Sequence, residues 1–262
     1  MNLETITAEP VSDVDHTPLL FVHGMWHAAW CWAEHFLPYF AQHGYPSHAL
    51  SLRAHGGSEG RDRLRWISMG DYVSDVVQIV GQMERAPVLV GHSMGGMVVQ
   101  KYLEFDAAPA AVLLASAPPN GLIPATLRVA ARHPLTFLKV SLTMSLAPVV
   151  CTPQLAQEAF FSSDAPDEKV RHCFNRLQDE SFRAYLDMMG LNLPRPSRVE
   201  TPFLVLGAAD DNLISPTEVE ATAQAYGTTA HMFPDTAHDM MLEDRWELVA
   251  EHILSWLDEQ GL

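Results

Sequence analysis

The chain has 262 residues, 48% hydrophobic and 18% charged, a composition that suits a folded globular protein and excludes a disordered one. Acidic residues outnumber basic ones 32 to 16, for a formal net charge of −16, which disfavours nucleic acid and anionic lipid surfaces as partners. Met1 to Asp15 carry acids and no apolar core, so no leader peptide is expected. The uncharged stretch 140–157 is broken by Pro148 and Pro153 and is too polar to insert stably in a membrane. Cys31, Cys151 and Cys173 are few and far apart, as expected of reduced thiols in a cytoplasmic protein. No CxxC or HExxH spacing occurs, so no metal is expected.

In chain order, the first strand-like run is Leu19–Val22, ending at His23-Gly24. The aromatic-rich segment Ala28–His43 has helical spacing, as does Met69–Met83, where Tyr72, Val76, Ile79, Val80 and Met83 share a face. Val88–Val90 is the next strand run and leads into Gly91-His92-Ser93; a helix over Met97–Phe105 follows Gly95-Gly96. Ala111–Ala115 ends at Ser116, Phe203–Leu206 at Gly207, and His231–Phe233 precedes a final helix over Glu243–Leu257. Strands alternating with helices predict an α/β fold with a mostly parallel, doubly wound sheet and helices on both faces. From 118 to 198 the alternation stops, and prolines at 124, 134, 148, 153 and 166 punctuate helical segments. This predicts a core of residues 1–117 and 199–262 with a helical cap inserted at 118–198.

In such a fold, chemistry gathers where strands end. Gly91-His92-Ser93-Met94-Gly95 lies between a strand run and a helix, the setting a GxSxG nucleophile requires. A serine on so tight a turn needs neighbours without side chains, and the helix beginning near Met94 directs N–H groups at it. A hydroxyl is a weak nucleophile and needs a base. His238, after the last strand run, is the best placed of the 13 histidines, whereas His92 reads as a packing residue behind the turn. The base needs an orienting carboxylate: Asp211 is favoured because it begins Asp-Asn-Leu, with Asp210 as the alternative. Backbone N–H groups of Met25, after the first strand run, and Met94, after the serine, are placed to hold an oxyanion. Trp26, Leu213, Met144 and Met240 are candidate pocket residues, with Leu122, Ile123, Leu127, Leu138, Leu142 and Leu146 added by the cap.

The segments PLLFVHGMWHAAWCW, LRAHGGS, VLVGHSMGG, FLVLGAADDNLISP and DTAHDMMLE resemble the α/β-hydrolase superfamily. They run from residue 18 to the C-terminal region and leave only the cap unmatched. HAAWCW is similar to plant methylesterases and hydroxynitrile lyases. LRAHGGS and GHSMGG are similar to bacterial esterases and monoacylglycerol-lipase-like enzymes. The resemblance implies a cofactor-free hydrolase of small-molecule carboxylic esters that forms an acyl-enzyme on Ser93. In the lyases a lysine follows the catalytic histidine; Asp239 stands there instead, against cyanohydrin cleavage. A lyase, a C–C hydrolase or a perhydrolase could use the same triad, and a ligand receptor could use the same fold.

Overall fold

The computed structural model of the chain describes residues 1–11 and 16–262; residues 12–15, within the segment read as lacking a leader, lie outside it. Among the described residues seven strands are present: β1 (Thr5–Ala8), β2 (Leu19–Val22), β3 (Ser47–Leu50), β4 (Val88–His92), β5 (Ala111–Leu114), β6 (Phe203–Ala208) and β7 (Ala230–Phe233). They form one sheet in the order β1-β3-β2-β4-β5-β6-β7. Only β1 is antiparallel to its neighbour; the other pairs are parallel, with Phe21 opposite Ala49 on one side and Val90 on the other. β2, β4, β5 and β6 are buried along their whole length, which is why they read as unbroken apolar runs rather than alternating ones.

The helices of the core are α1 (Trp30–Ala33), α2 (Phe36–Gln42), α3 (Met69–Val80) and α4 (Met94–Tyr102). Between β5 and β6 come α5 (Ile123–Arg132), α6 (Pro134–Thr143), α7 (Pro153–Phe160), α8 (Asp167–Phe174) and α9 (Phe182–Leu186). The chain closes with α10 (Pro216–Ala225) and α11 (Trp246–Gln260). α2 packs against α11 and α3 against α4. The Tyr226 hydroxyl at the end of α10 donates to Gln100 Oε1 on α4 at 3.0 Å, so the sheet is covered on both faces. No helix among the described residues is long and apolar enough to cross a membrane.

The structure differs from the sequence reading in several places, among them α11, which runs Trp246–Gln260 rather than Glu243–Leu257, and α3, which stops at Val80. The single helix expected over Ala28–His43 is two, α1 and α2. Pro38 has no N–H to donate to the Glu34 carbonyl and would clash with it, so a fresh start at Phe36, with Pro38 in the first turn, avoids the conflict. β1 and β3 are short and lack apolar runs: TITA at the sheet edge alternates exposed and half-buried residues, and SHAL carries a histidine. α4 begins at Met94, directly after Ser93, three residues earlier than Met97.

A half-buried ion cluster ties the β3–α3 connection to α3. Arg53 donates through Nε and Nη2 to Asp75 Oδ1 at 2.9 and 2.7 Å and through Nη1 to Asp71 Oδ1 at 2.9 Å. The Asp75 side chain is fully buried, so removing its partner strands a charge. Arg53→Ala is expected to lower unfolding stability by about 3 kcal/mol. A urea midpoint shift worth less than about 1 kcal/mol would show that water or Asp75 protonation compensates.

Candidate active site

Four strand ends converge at the carboxyl edge of the sheet: those of β2, β4, β6 and β7. Ser93 lies between β4 and α4 with φ 51° and ψ −120°, a left-handed conformation costing about 1–3 kcal/mol for a non-glycine residue. Surrounding bonds impose it. Ser93 N–H donates to the Leu114 carbonyl at 3.0 Å, and the Ser93 carbonyl accepts from Ala117 N–H at 2.9 Å. The glycines around it are steric requirements. A Cβ on Gly95 would sit 2.3 Å from the Val22 carbonyl oxygen, one on Gly91 2.6 Å from Gly96 Cα, and one on Gly24 2.9 Å from Ser93 Cβ.

Asp211 and His238 meet across the ends of β6 and β7. His238 Nδ1 is 2.7 Å from Asp211 Oδ2. The other carboxylate oxygen, Oδ1, accepts from Leu213 N–H at 2.7 Å and Ile214 N–H at 2.9 Å, which fixes the direction of the carboxylate. Both side chains are buried. Burial works against an imidazolium at His238, but the Asp211 carboxylate outweighs it and holds the pKa above the ordinary histidine value. Asp210 is exposed and lies instead along an acidic surface recess with Asp164, Asp235 and Asp244.

His92 does more than pack. Its Nε2–H donates to the His238 carbonyl at 2.9 Å, and the two rings lie 4.7 Å apart, so the residue beside Ser93 holds the backbone of the His238 loop. Nδ1 of His92 has no partner; burial, then the neighbouring His238, press its pKa down to about 3, so it stays neutral. His23 is also neutral. Its Nε2 accepts from Leu52 N–H at 3.0 Å, which leaves Nδ1–H to donate to the Gly24 carbonyl at 2.8 Å. That carbonyl belongs to the same peptide unit as Met25 N–H, so His23 sets the plane of a group expected to bind an oxyanion. Neither of these second roles has a sequence signal, because both run through backbone carbonyls brought near by folding.

Ser93, Met25, Met94, Trp26 and Leu213 line one cavity of about 90 Å³, together with Leu122, Val140, Leu146, Val149, Tyr185 and Ile214 from the insert and the loop after β6. No charged side chain lines it. Trp26 has φ 65°, and its Nε1–H donates to the Leu146 carbonyl at 3.2 Å, fastening the β2 loop to the insert. The Met25 and Met94 N–H groups have no hydrogen-bond partner among the described residues, and Met94 occupies the first helical position, where no internal acceptor exists.

Two expected pocket residues lie elsewhere. Met144 ends α6 in a left-handed conformation, φ 51°, and that reversal sends its side chain to a different recess, beside Arg61, Arg65 and Trp66. Met240 is completely buried and outside the cavity wall, because the chain reverses at once after the histidine, with Met240 N–H donating to the His238 carbonyl at 2.9 Å. Ile123, Leu127, Leu138 and Leu142 are exposed on α5 and α6 rather than turned inward.

Local spacing revealed no ligand cluster, yet folding brings His27, Cys173 and Asp239 together, with donor atoms within 4.8 Å of one another. His27 Nε2 hydrogen-bonds Asp239 Oδ2 at 3.0 Å and lies 3.8 Å from Cys173 Sγ, the arrangement of an ion pair beside a thiol.

Residues 19–252 match the model of the Alpha/beta hydrolase family. The chain belongs to that family. It is 37% identical over 106 residues to the Probable esterase PIR7A of Oryza sativa subsp. indica, a match covering 38% of this chain and 39% of that protein. It is 34% identical over 115 residues to the Non-heme chloroperoxidase of Burkholderia pyrrocinia, covering 40% of this chain and 39% of that one. Each match therefore spans about two fifths of the relative's length. Among solved structures, a thermophilic esterase from Thermogutta terrifontis aligns over 99% of this chain and 94% of its own, with a TM-score of 0.72 and 19% identity, a likeness of fold.

The geometry separates the two aspartates. Asp211→Asn should slow labelling of Ser93 by a fluorophosphonate by roughly 10³-fold or more, because an amide favours the wrong imidazole tautomer. Asp210→Asn should leave the rate within about threefold, as expected of an exposed residue away from the ring. The reverse ranking would move the orienting role to Asp210.

Proposed function

We propose that the chain is a serine hydrolase that cleaves carboxylic esters of small to medium, mainly apolar acyl groups through an acyl-enzyme intermediate. The observation that carries this reading is the combination at the sheet edge: a strained Ser93 opening on an uncharged cavity, and a buried His238 that Asp211 orients and that His92 ties to the Ser93 turn. With Nδ1–H donated to Asp211, the lone pair of His238 stays on Nε2, where a base needs it. Ser93 Oγ attacks the ester carbonyl carbon and gives its proton to Nε2. The carbonyl oxygen becomes an oxyanion held by the N–H groups of Met25 and Met94. Collapse breaks the bond to the alcohol, which leaves with the proton from Nε2. A water then loses a proton to Nε2 and attacks the acyl carbon; the acid departs and Ser93 recovers its proton. In this reading residues 118–198 are a cap whose α5 and α6 close the acyl pocket.

Ser93→Ala should therefore lower kcat on p-nitrophenyl butyrate by at least about 10⁴-fold. Each methylene buried is worth about 0.8 kcal/mol while it fits. A cavity of about 90 Å³ holds only a handful of water-sized spheres of about 10–15 Å³. Across p-nitrophenyl esters from acetate to palmitate, kcat/KM should peak between butyrate and octanoate; a maximum at palmitate would refute the closed-pocket reading.

The base acts only when neutral. Because Asp211 outweighs burial and raises the His238 pKa, kcat/KM should climb with pH through a midpoint above the ordinary histidine value and fall away below it. A profile flat across the histidine range would exclude His238 as the base.

The similarity to a non-heme chloroperoxidase favours one second reading: hydrogen peroxide takes the place of water at the acyl-enzyme and releases a peracid. Peracid formation from ester and peroxide, lost in Ser93→Ala, would support it.

A further inference from the structure

Beside the His238 loop lies a set of ionisable groups that ester hydrolysis does not use. His27 and Asp239 are completely buried, and Cys173 on α8 is nearly so. His27 Nδ1 lies 2.8 Å from the Met25 carbonyl oxygen, and Nε2 lies 3.0 Å from Asp239 Oδ2. A carbonyl only accepts, and an ionised carboxylate only accepts. A neutral imidazole has one N–H and cannot donate to both. An imidazolium can.

The surroundings leave no other group to balance Asp239. His92, at the end of β4, comes within 3.8 Å of the second Asp239 oxygen, but its Nε2–H is already given to the His238 carbonyl and it is neutral. His23, after β2, is neutral by its own two bonds. The Cys173 and Cys31 thiols are pushed up by burial and stay uncharged. His238 carries its own carboxylate, Asp211. The rings of Trp30 and Phe160 beside His27 carry no charge, and Arg176, over the Trp30 ring, is paired with Glu34. Burial penalises both charged forms, yet the attraction between the two outweighs it, holding His27 above and Asp239 below their usual values.

We propose that His27 is a standing imidazolium ion that fastens the Met25 loop to the His238 loop, a positioning residue for the oxyanion donor and the base together. Its Nδ1–H fixes the peptide unit that follows Met25, as His23 fixes the one that precedes it. Its Nε2–H grips the residue next to the base. The positioning role rests on the ester-hydrolase reading; the charge state does not.

Two measurements test this on the full chain. The first is ¹⁵N NMR of the histidine rings near neutral pH. One ring with both nitrogens protonated, absent from the spectrum of His27→Gln, is expected. A His27 whose Nε2 carries no proton overturns the proposal even where the variants fail to fold. The second is steady-state hydrolysis of p-nitrophenyl butyrate by two variants that each keep one arm. The amide of His27→Gln reaches the place of Nε2 and that of His27→Asn the place of Nδ1. Each should lose about 10–100-fold in kcat, the order a small misplacement of catalytic groups costs, with KM changed by less than about threefold. Active wild type with both variants retaining kcat overturns the positioning role. A wild type that neither turns over esters nor reacts with a fluorophosphonate refutes the hydrolase reading instead, and the ring-nitrogen signal still decides the charge.

Discussion

The close approach of α4 to the end of β2 is the constraint on which the site depends. Gly95 lies so near the Val22 and His23 carbonyls that no side chain fits between them, a Cβ on Gly91 would strike the Gly96 backbone, and one on Gly96 would strike the Ser116 side chain. This contact draws the start of α4 against the loop after β2. Met94 and Met25 therefore line the same cavity as Ser93, and the strained serine backbone is held by bonds to Leu114 and Ala117 rather than by its own preference. A methyl group at Gly95 would separate helix from loop and undo the whole arrangement at once.

Electrostatics in this region is organised by burial more than by net charge. Three buried histidines sit within a few residues of Ser93 or Met25, and hydrogen bonding gives them different states. His23 and His92 are neutral because each has an acceptor role or an empty nitrogen, while His27 faces two acceptors. A neutral His92 matters because its ring lies 4.7 Å from that of His238; a cation there would oppose protonation of His238.

The central sheet was legible because buried parallel strands have nowhere to put polar residues: Leu19–Val22, Ala111–Leu114 and Phe203–Ala208 stand out as runs. β1, at the solvated edge, and β3, mostly buried but reading SHAL, carry no such run. Gly91–Gly95 was legible because steric need leaves a fixed spacing in sequence. The choice between Asp210 and Asp211 turned on which side chain faces the ring, and adjacent residues differ in that only once the loop is folded. Methionine at 144 or 240 looks like any other apolar residue, and its destination is set by a left-handed turn in one case and a chain reversal in the other. Pairings such as His27 with Asp239 join distant segments, so neither composition nor spacing could expose them.

The insert is stitched into the carboxyl edge of the sheet at several points. The Phe160 carbonyl of α7 accepts from Asp239 N–H at 2.9 Å, and the Phe160 ring stacks 6.3 Å from His238. Glu243, after β7, takes Ser162 N–H at 2.7 Å and Ala237 N–H at 3.2 Å with the same oxygen. Gln178 N–H donates to the Trp26 carbonyl at 2.9 Å. The insert is thus not an interchangeable module. A chimera that transplanted 118–198 from another family member would carry off part of the scaffold around the histidine, and grafting for altered selectivity would have to bring Phe160, Ser162 and Gln178 along as fixed joints.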